Sequence, residues 1–253
     1  MFKLKKSSHK YFLLGLSVLT VTGVARRYSW SEQVIAQSLT VPQVQTTDAV
    51  LKEQKITDFV KSGYEFAVKL YGQPRVPVNT VNLRLHSSAM TALNDASQGI
   101  FTIYLGRRPN EYSFYGQLAH EVAHLLNARL FDCYAEGLGS LFAERMLLKN
   151  GLDWSGWVNY YKQGGDPMYA ATYFMMKDVS EAAGAANMKK LLSFAVKKPG
   201  ADTMYIDING WLNSMSADSK EAVKEAINQN FTKVQAGLAQ QHQGLLTCEQ
   251  PKN

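Results

Sequence analysis

The sequence predicts one α+β domain with a small mixed sheet and a helical majority. Apolar residues recur at helical spacing between Asp48 and Tyr71, and again through most of the chain after Asn110. Between them, residues 80–86 alternate in polarity and residues 99–106 are rich in aromatic and β-branched side chains, as strands are. Because 46% of the 253 residues are hydrophobic, the chain can bury a core, which excludes wholesale disorder.

The first 36 residues have the composition of a secretory signal peptide or of an uncleaved membrane anchor. Residues 3–10 carry four lysines, and residues 11–25 are uncharged and largely apolar. A helix of that length rises about 22 Å, less than the roughly 30 Å hydrocarbon core of a bilayer, which favours a cleaved peptide. The pair Arg26–Arg27 directly after it is more typical of an anchor. Both alternatives predict export, as a secreted or periplasmic protein or one attached to a membrane through residues 11–25.

The formal net charge of +6 is concentrated in this N-terminal segment. Residues 1–36 hold six bases and one acid, so the rest of the chain has 21 basic and 20 acidic residues. No run of bases in that remainder is long enough to follow a phosphate backbone. We therefore do not expect nucleic acid as a partner.

The segments between the N-terminus and Asn110 are predicted in order along the chain. Residues 37–47 are uncharged and rich in Gln, Ser, Thr and Val, which predicts an extended spacer. The domain itself is expected to comprise residues 48–247: a first helix and the sheet (48–110), two central helices (111–150) and a C-terminal helical part (151–247). We expect the strand at Gly99–Gly106 to offer its edge to an extended peptide.

The most specific motif is His-Glu-Val-Ala-His at residues 120–124. On a helix, His120 and His124 lie one turn apart on the same face, so both imidazoles can bind one metal ion. Glu121 is rotated by about 100° from His120, which places its carboxylate beside the metal as a general base for a water molecule. The spacing predicts a helix here, because the apolar residues around it recur every four positions.

A catalytic zinc usually has three protein ligands and an open fourth position. Glu136, twelve residues after His124 and next to Gly137, is the best third ligand that the sequence offers. Asp132 is the alternative third ligand, or a hydrogen-bond partner of one of the histidines. The metzincin pattern is excluded, because the position of its third histidine is occupied by Leu130.

With its HEVAH motif followed by Glu136 in an EGLG context, the chain resembles the gluzincin branch of zinc metallopeptidases. In particular it resembles the peptidase MA-like families, which carry HExxH, a short turn and an EGLA-like motif, and the resemblance covers about residues 99–232. It implies a zincin-like fold, bound Zn²⁺ and a tyrosine on a later helix that stabilises the oxyanion. Tyr169 matches that tyrosine best and Tyr173 second, and either could instead be a core aromatic. Ser140 departs from the thermolysin-like form, which has an aspartate there.

The two cysteines, Cys133 and Cys248, are expected to form a disulfide in an exported protein. It would attach the C-terminal tail to the helix that carries Glu136. Together these features predict a zinc metallopeptidase that acts on peptides or proteins outside the cytoplasm, with Glu121 as the general base. The alternatives are a non-catalytic zinc-stabilised binding or assembly module, and a zinc hydrolase of a non-peptide substrate. The sequence does not indicate an oligomeric state.

Overall fold

The computed structural model describes residues 39–241 and 246–252. The predicted signal peptide or anchor, residues 1–36, lies outside the described residues. Within the described ranges, no helix combines the length and the apolar character that a transmembrane span requires.

The predicted α+β architecture is confirmed. The elements follow in the order β1 (Gln43–Thr46), α1 (Gln54–Tyr71), β2 (Thr80–Leu85), β3 (Met90–Asp95), β4 (Ile100–Leu105), α2 (Phe114–His124), α3 (Cys133–Lys149), α4 (Ser155–Lys162), α5 (Pro167–Met188), β5 (Ala195–Lys197), β6 (Met204–Ile206), α6 (Ile208–Asn213) and α7 (Ala217–Gln241). Strands β5 and β6 form a separate antiparallel hairpin.

The main sheet has the strand order β1-β2-β4-β3. Strands β1, β2 and β4 are parallel, and β3 runs antiparallel to β4. Strands β2 and β4 confirm the two predicted strands. Strand β1 corrects the prediction of a spacer at residues 37–47, because Gln43–Thr46 pairs with Thr80–Leu83 and extends the sheet by one strand.

The expectation that the strand at Gly99–Gly106 offers a free edge is wrong. Strand β4 is hydrogen-bonded to β2 on one side and to β3 on the other, so its backbone groups are already paired. The edge on this side of the sheet is β3, a strand that the residue pattern did not predict. Among the described residues, no other strand pairs with the outer side of β3, and an unpaired strand edge is a template for another extended chain.

Helices α1 and α2 pack on the sheet, and α3 packs between α2 and α5. Ile56, Phe59, Val60 and Tyr64 recur at helical spacing on the buried face of α1. Helix α3 is different, because every residue from Cys133 to Ala143 is buried. A helix that is enclosed on all sides holds its side chains in a fixed position, and Glu136 is one of them.

The C-terminal tail is fastened to the start of α3. Cys133 and Cys248 form the predicted disulfide, across a sequence separation of 115 residues. The Cys133 amide donates to the Thr247 carbonyl at 3.0 Å, and the Tyr134 hydroxyl donates to the Glu249 carbonyl at 2.5 Å. Covalent and hydrogen bonds therefore hold the tail against the first turn of the helix that carries Glu136.

Candidate metal centre and adjoining cleft

The two histidines of the HEVAH motif lie on one face of α2, at its C-terminal end. Their Nε2 atoms are 3.0 Å apart, and their ring centroids are 4.8 Å apart. Two nitrogen lone pairs this close to each other repel unless a proton or a cation lies between them.

Glu136, in the first turn of α3, reaches the same point from the neighbouring helix. Its Oε2 is 3.2 Å from His120 Nε2, and its Oε1 is 3.9 Å from His124 Nε2. The ligand atoms of the three residues all lie within 4.8 Å of one another, so the group could hold a metal ion. The structure thus brings together the three residues that the sequence analysis named as ligands.

The two histidines have opposite pKa shifts. Burial lowers the pKa of His124 to about 4, and the nearby charge of Glu136 offsets this only in part. Burial also acts to lower the pKa of His120, but the hydrogen bond and the charge of Glu136 outweigh it and raise the pKa. At neutral pH His124 is therefore a neutral imidazole, which is the form that binds a metal.

Asp132, the alternative ligand, is not part of this group. It caps α3, where its Oδ1 accepts a hydrogen bond from the Ala135 amide at 2.8 Å. Its Oδ2 accepts from the Ile206 amide at 2.5 Å. Both carboxylate oxygens are thus bonded to backbone amides, which gives Asp132 a structural role at the junction of α3 and β6.

The EGLG segment of α3 allows two close approaches. A β-carbon at Gly139 would lie 2.8 Å from Cε1 of His120, so only glycine leaves room for that imidazole. A β-carbon at Gly137 would collide with the Thr172 carbonyl of α5. Gly137 therefore allows α5 to pack closely on α3, whereas Gly139 allows the histidine-bearing helix to do so.

Ser140 occupies the position where the thermolysin-like form has an aspartate. Its Oγ is 3.4 Å from Nδ1 of His120, and Ser140 is itself buried. Tyr161 is hydrogen-bonded to Ser140 in turn. A second partner on the distal ring nitrogen fixes the orientation of a ligating histidine, and here a neutral hydroxyl supplies it.

Glu121 is buried beside the group but is not one of its members. The Thr91 hydroxyl of β3 lies 2.9 Å from Glu121 Oε2 and 2.8 Å from the Glu121 carbonyl. Burial raises the pKa of the Glu121 carboxyl to about 7. Thr91 had no signal in the sequence, because its role depends on β3 lying over α2.

A cleft of about 250 Å³ opens beside His120 and Glu121. Tyr169, which the family resemblance implied, lines this cleft, and its ring centroid is 5.6 Å from that of His120. Burial raises the pKa of Tyr169 well above its usual value, so its hydroxyl stays protonated. Trp154, Trp157 and Tyr161 form an aromatic wall of the same cleft.

Tyr173, the second match to the tyrosine that the resemblance implied, and the acidic residue Glu144 have structural partners instead. Tyr173 is fully buried, and its hydroxyl accepts a hydrogen bond from the Trp154 indole at 3.2 Å. Glu144 accepts a hydrogen bond from Lys177 at 3.0 Å and links α3 to α5. Neither residue lines the cleft.

Models of known protein families, curated proteins and solved structures yield no match to this chain.

Proposed function

We propose that this chain is a zinc-dependent peptidase that hydrolyses extracytoplasmic peptides or proteins, with a zincin-like fold of the gluzincin type. The donor set of His120, His124 and Glu136 supports zinc, because two imidazole nitrogens and one carboxylate oxygen are a typical catalytic zinc set. Tetrahedral ligand atoms about 2.0–2.2 Å from an ion lie roughly 3.4 Å apart. His120 Nε2 lies 3.0 Å from His124 Nε2 and 3.2 Å from Glu136 Oε2, which is close to that spacing. The 3.9 Å approach to His124 Nε2 is made by the other carboxylate oxygen, Oε1.

One observation carries the proposal: a buried carboxylate stands beside the three candidate ligands without being one of them. Glu121 faces the same cleft as His120 and is oriented by Thr91. Among the described residues, no lysine or arginine forms an ion pair with it. A buried carboxylate that no lysine or arginine neutralises is costly to maintain, and general-base catalysis is the function that would account for it.

Zinc, when bound, supplies a Lewis acid that polarises a carbonyl and acidifies a water molecule. Glu121 takes the proton of the attacking water and delivers it to the leaving amine. The Tyr169 hydroxyl donates a hydrogen bond to the oxyanion that develops on the scissile carbonyl. Strand β3 holds the peptide backbone through its unpaired edge, and Thr91 on the same strand keeps Glu121 in position.

Export is part of the proposal. The disulfide between Cys133 and Cys248 is typical of an oxidising, extracytoplasmic compartment. The basic and then apolar start of the chain supports the same location.

The test uses the full chain, stripped with a chelator and reloaded with zinc. We expect one bound zinc per chain and chelator-sensitive cleavage of a mixed peptide library, read by mass spectrometry. Glu121→Gln should keep the zinc and lose cleavage by roughly 10²- to 10⁴-fold. Equal cleavage by Glu121→Gln would refute the general-base role, and zinc binding without cleavage by the wild type would overturn the peptidase in favour of a binding module.

A further inference from the structure

A second cavity, of about 110 Å³, lies at the C-terminal end of α2. It is enclosed by the turn after His124, by Leu93 of β3, by Phe101 of β4 and by the β5–β6 hairpin. We call it the basic cavity, because Arg75, Arg129 and Lys197 line it with Asp202 as the single acid. Its lining therefore carries a formal charge of +2.

The positive charge of the basic cavity is only partly neutralised. Lys197 lies 3.6 Å from Asp202 in an exposed pair, and such a pair is weak and easily exchanged. One nitrogen of the Arg75 guanidinium donates a hydrogen bond to the Ala195 carbonyl at 3.3 Å. Among the described residues, the Arg129 guanidinium has no hydrogen-bond or ion-pair partner, so its donors are available to a ligand.

A buried amide lines the same cavity. Asn127 is 7% exposed, and its Oδ1 accepts from the Arg129 amide, which fixes the orientation of the side chain. Its Nδ2 group has two N–H donors but contacts only the Met204 sulfur, at 3.6 Å. A thioether is a weak acceptor, so a buried donor here is poorly satisfied.

The remaining walls are apolar and include Leu93, Phe101 and Leu126. The basic cavity thus combines an apolar interior with arginine, lysine and amide donors, which suits a carboxylate on a short aliphatic stem. The position of the basic cavity relative to strand β3 is also known. Thr91 contacts Glu121 and Leu93 lines the basic cavity, so the two sites are about two strand residues, or roughly 7 Å, apart.

We propose that the basic cavity binds a carboxylate carried by the peptide that lies along β3, and so selects substrates with an acidic group about two residues from the cleaved bond. This inference rests on the proposed function, in which the substrate peptide lies along β3. The acidic group is a glutamate or aspartate side chain, or the terminal carboxylate of the peptide.

The test measures binding rather than turnover, with full-chain Glu121→Gln loaded with zinc. The probes are fluorescein-labelled, alanine-based octapeptides with an amidated C-terminus and one Glu placed at each position in turn. Matched peptides carry Gln at the same position, and two all-alanine peptides differ only in having a free or an amidated C-terminus. Fluorescence anisotropy gives the dissociation constant of each.

At one Glu position, or for the free C-terminus, we expect roughly tenfold tighter binding than for the neutral counterpart. That preference should fall in 0.5 M salt and disappear in the double variant Arg129→Gln, Lys197→Gln. Arg84→Gln, an exposed arginine on β2 outside the cavity, should keep it. Equal binding of every charged peptide and its neutral counterpart, the free C-terminus included, an undiminished preference in the double variant, or no peptide binding would each overturn the proposal. A charge-dependent preference without wild-type cleavage would support the basic cavity while refuting the peptidase.

Discussion

The imidazole of His120 packs directly against the backbone of Gly139, with no space for a β-carbon between the two helices. Such an atom would lie 2.8, 2.9 and 3.0 Å from Cε1, Nδ1 and Nε2 of the ring. Gly139 therefore sets how closely α2 and α3 approach at the point where His120 meets Glu136. The glycine is a structural requirement of the metal centre although it binds nothing itself.

Replacing Gly139 with alanine should displace the His120 ring and weaken zinc binding. The chain without metal should also be destabilised, because overpacking costs about 1–3 kcal/mol and the preference of a helix for alanine over glycine offsets only up to about 1 kcal/mol of it. Thermal unfolding with zinc and with chelator separates the two effects. An unchanged zinc-dependent rise in melting temperature in Gly139→Ala would contradict this account.

Tyr169→Phe should lower kcat by roughly 10²- to 10³-fold, because removing one oxyanion donor has an effect of that size. KM and zinc content should stay near the wild-type values, since the phenyl ring preserves the packing against His120. Tyr173→Phe is the matched control. It removes a buried hydroxyl bonded to Trp154 and should cost about 1 kcal/mol of unfolding free energy while leaving kcat unchanged. Equal kcat effects of the two substitutions would remove Tyr169 from the mechanism.

Asp132→Ala should destabilise the fold without abolishing zinc binding. The substitution leaves the Ala135 and Ile206 amides without their carboxylate acceptor, at a cost of about 1–3 kcal/mol in unfolding free energy. Asp132→Ser should recover part of this loss, because serine can still cap α3. Chemical denaturation and zinc titration are the measurements. A loss of zinc from the folded Ser variant would instead indicate that Asp132 is a ligand.

Removing the disulfide with Cys133→Ser and Cys248→Ser should lower the unfolding free energy by about 2–5 kcal/mol. The cross-link spans 115 residues, and the chain-entropy account assigns large stabilisation to loops of that size. A reductant should lower the melting temperature of the wild type and leave that of the double variant unchanged. If the wild type and the double variant have the same melting temperature without reductant, the hydrogen bonds to Thr247 and Glu249 are sufficient to hold the tail.

Much of the metal centre follows from local periodicity. The i, i+4 spacing of His120 and His124 places them on one face of any helix, whatever the rest of the fold. Glu136 was predicted from the number of protein ligands that a catalytic zinc needs, and Tyr169 was predicted from the family resemblance. Thr91, Gly139 and Tyr161 were missed, because each contributes only through contact with an element remote in sequence.

The amino-acid pattern alone predicted the first helix, strands β2 and β4, the two histidines on one helix face and the glutamate between them. Those features depend on a repeat of two or 3.6 residues, which neighbouring residues establish without help from the rest of the chain. Contacts between distant segments establish that β4 is an inner strand, that β3 is the edge, and that Glu136 and not Asp132 meets the histidines. Strand order and helix approach are set by contacts between distant segments, in which a glycine such as Gly139 or a hydroxyl such as that of Thr91 determines the fit.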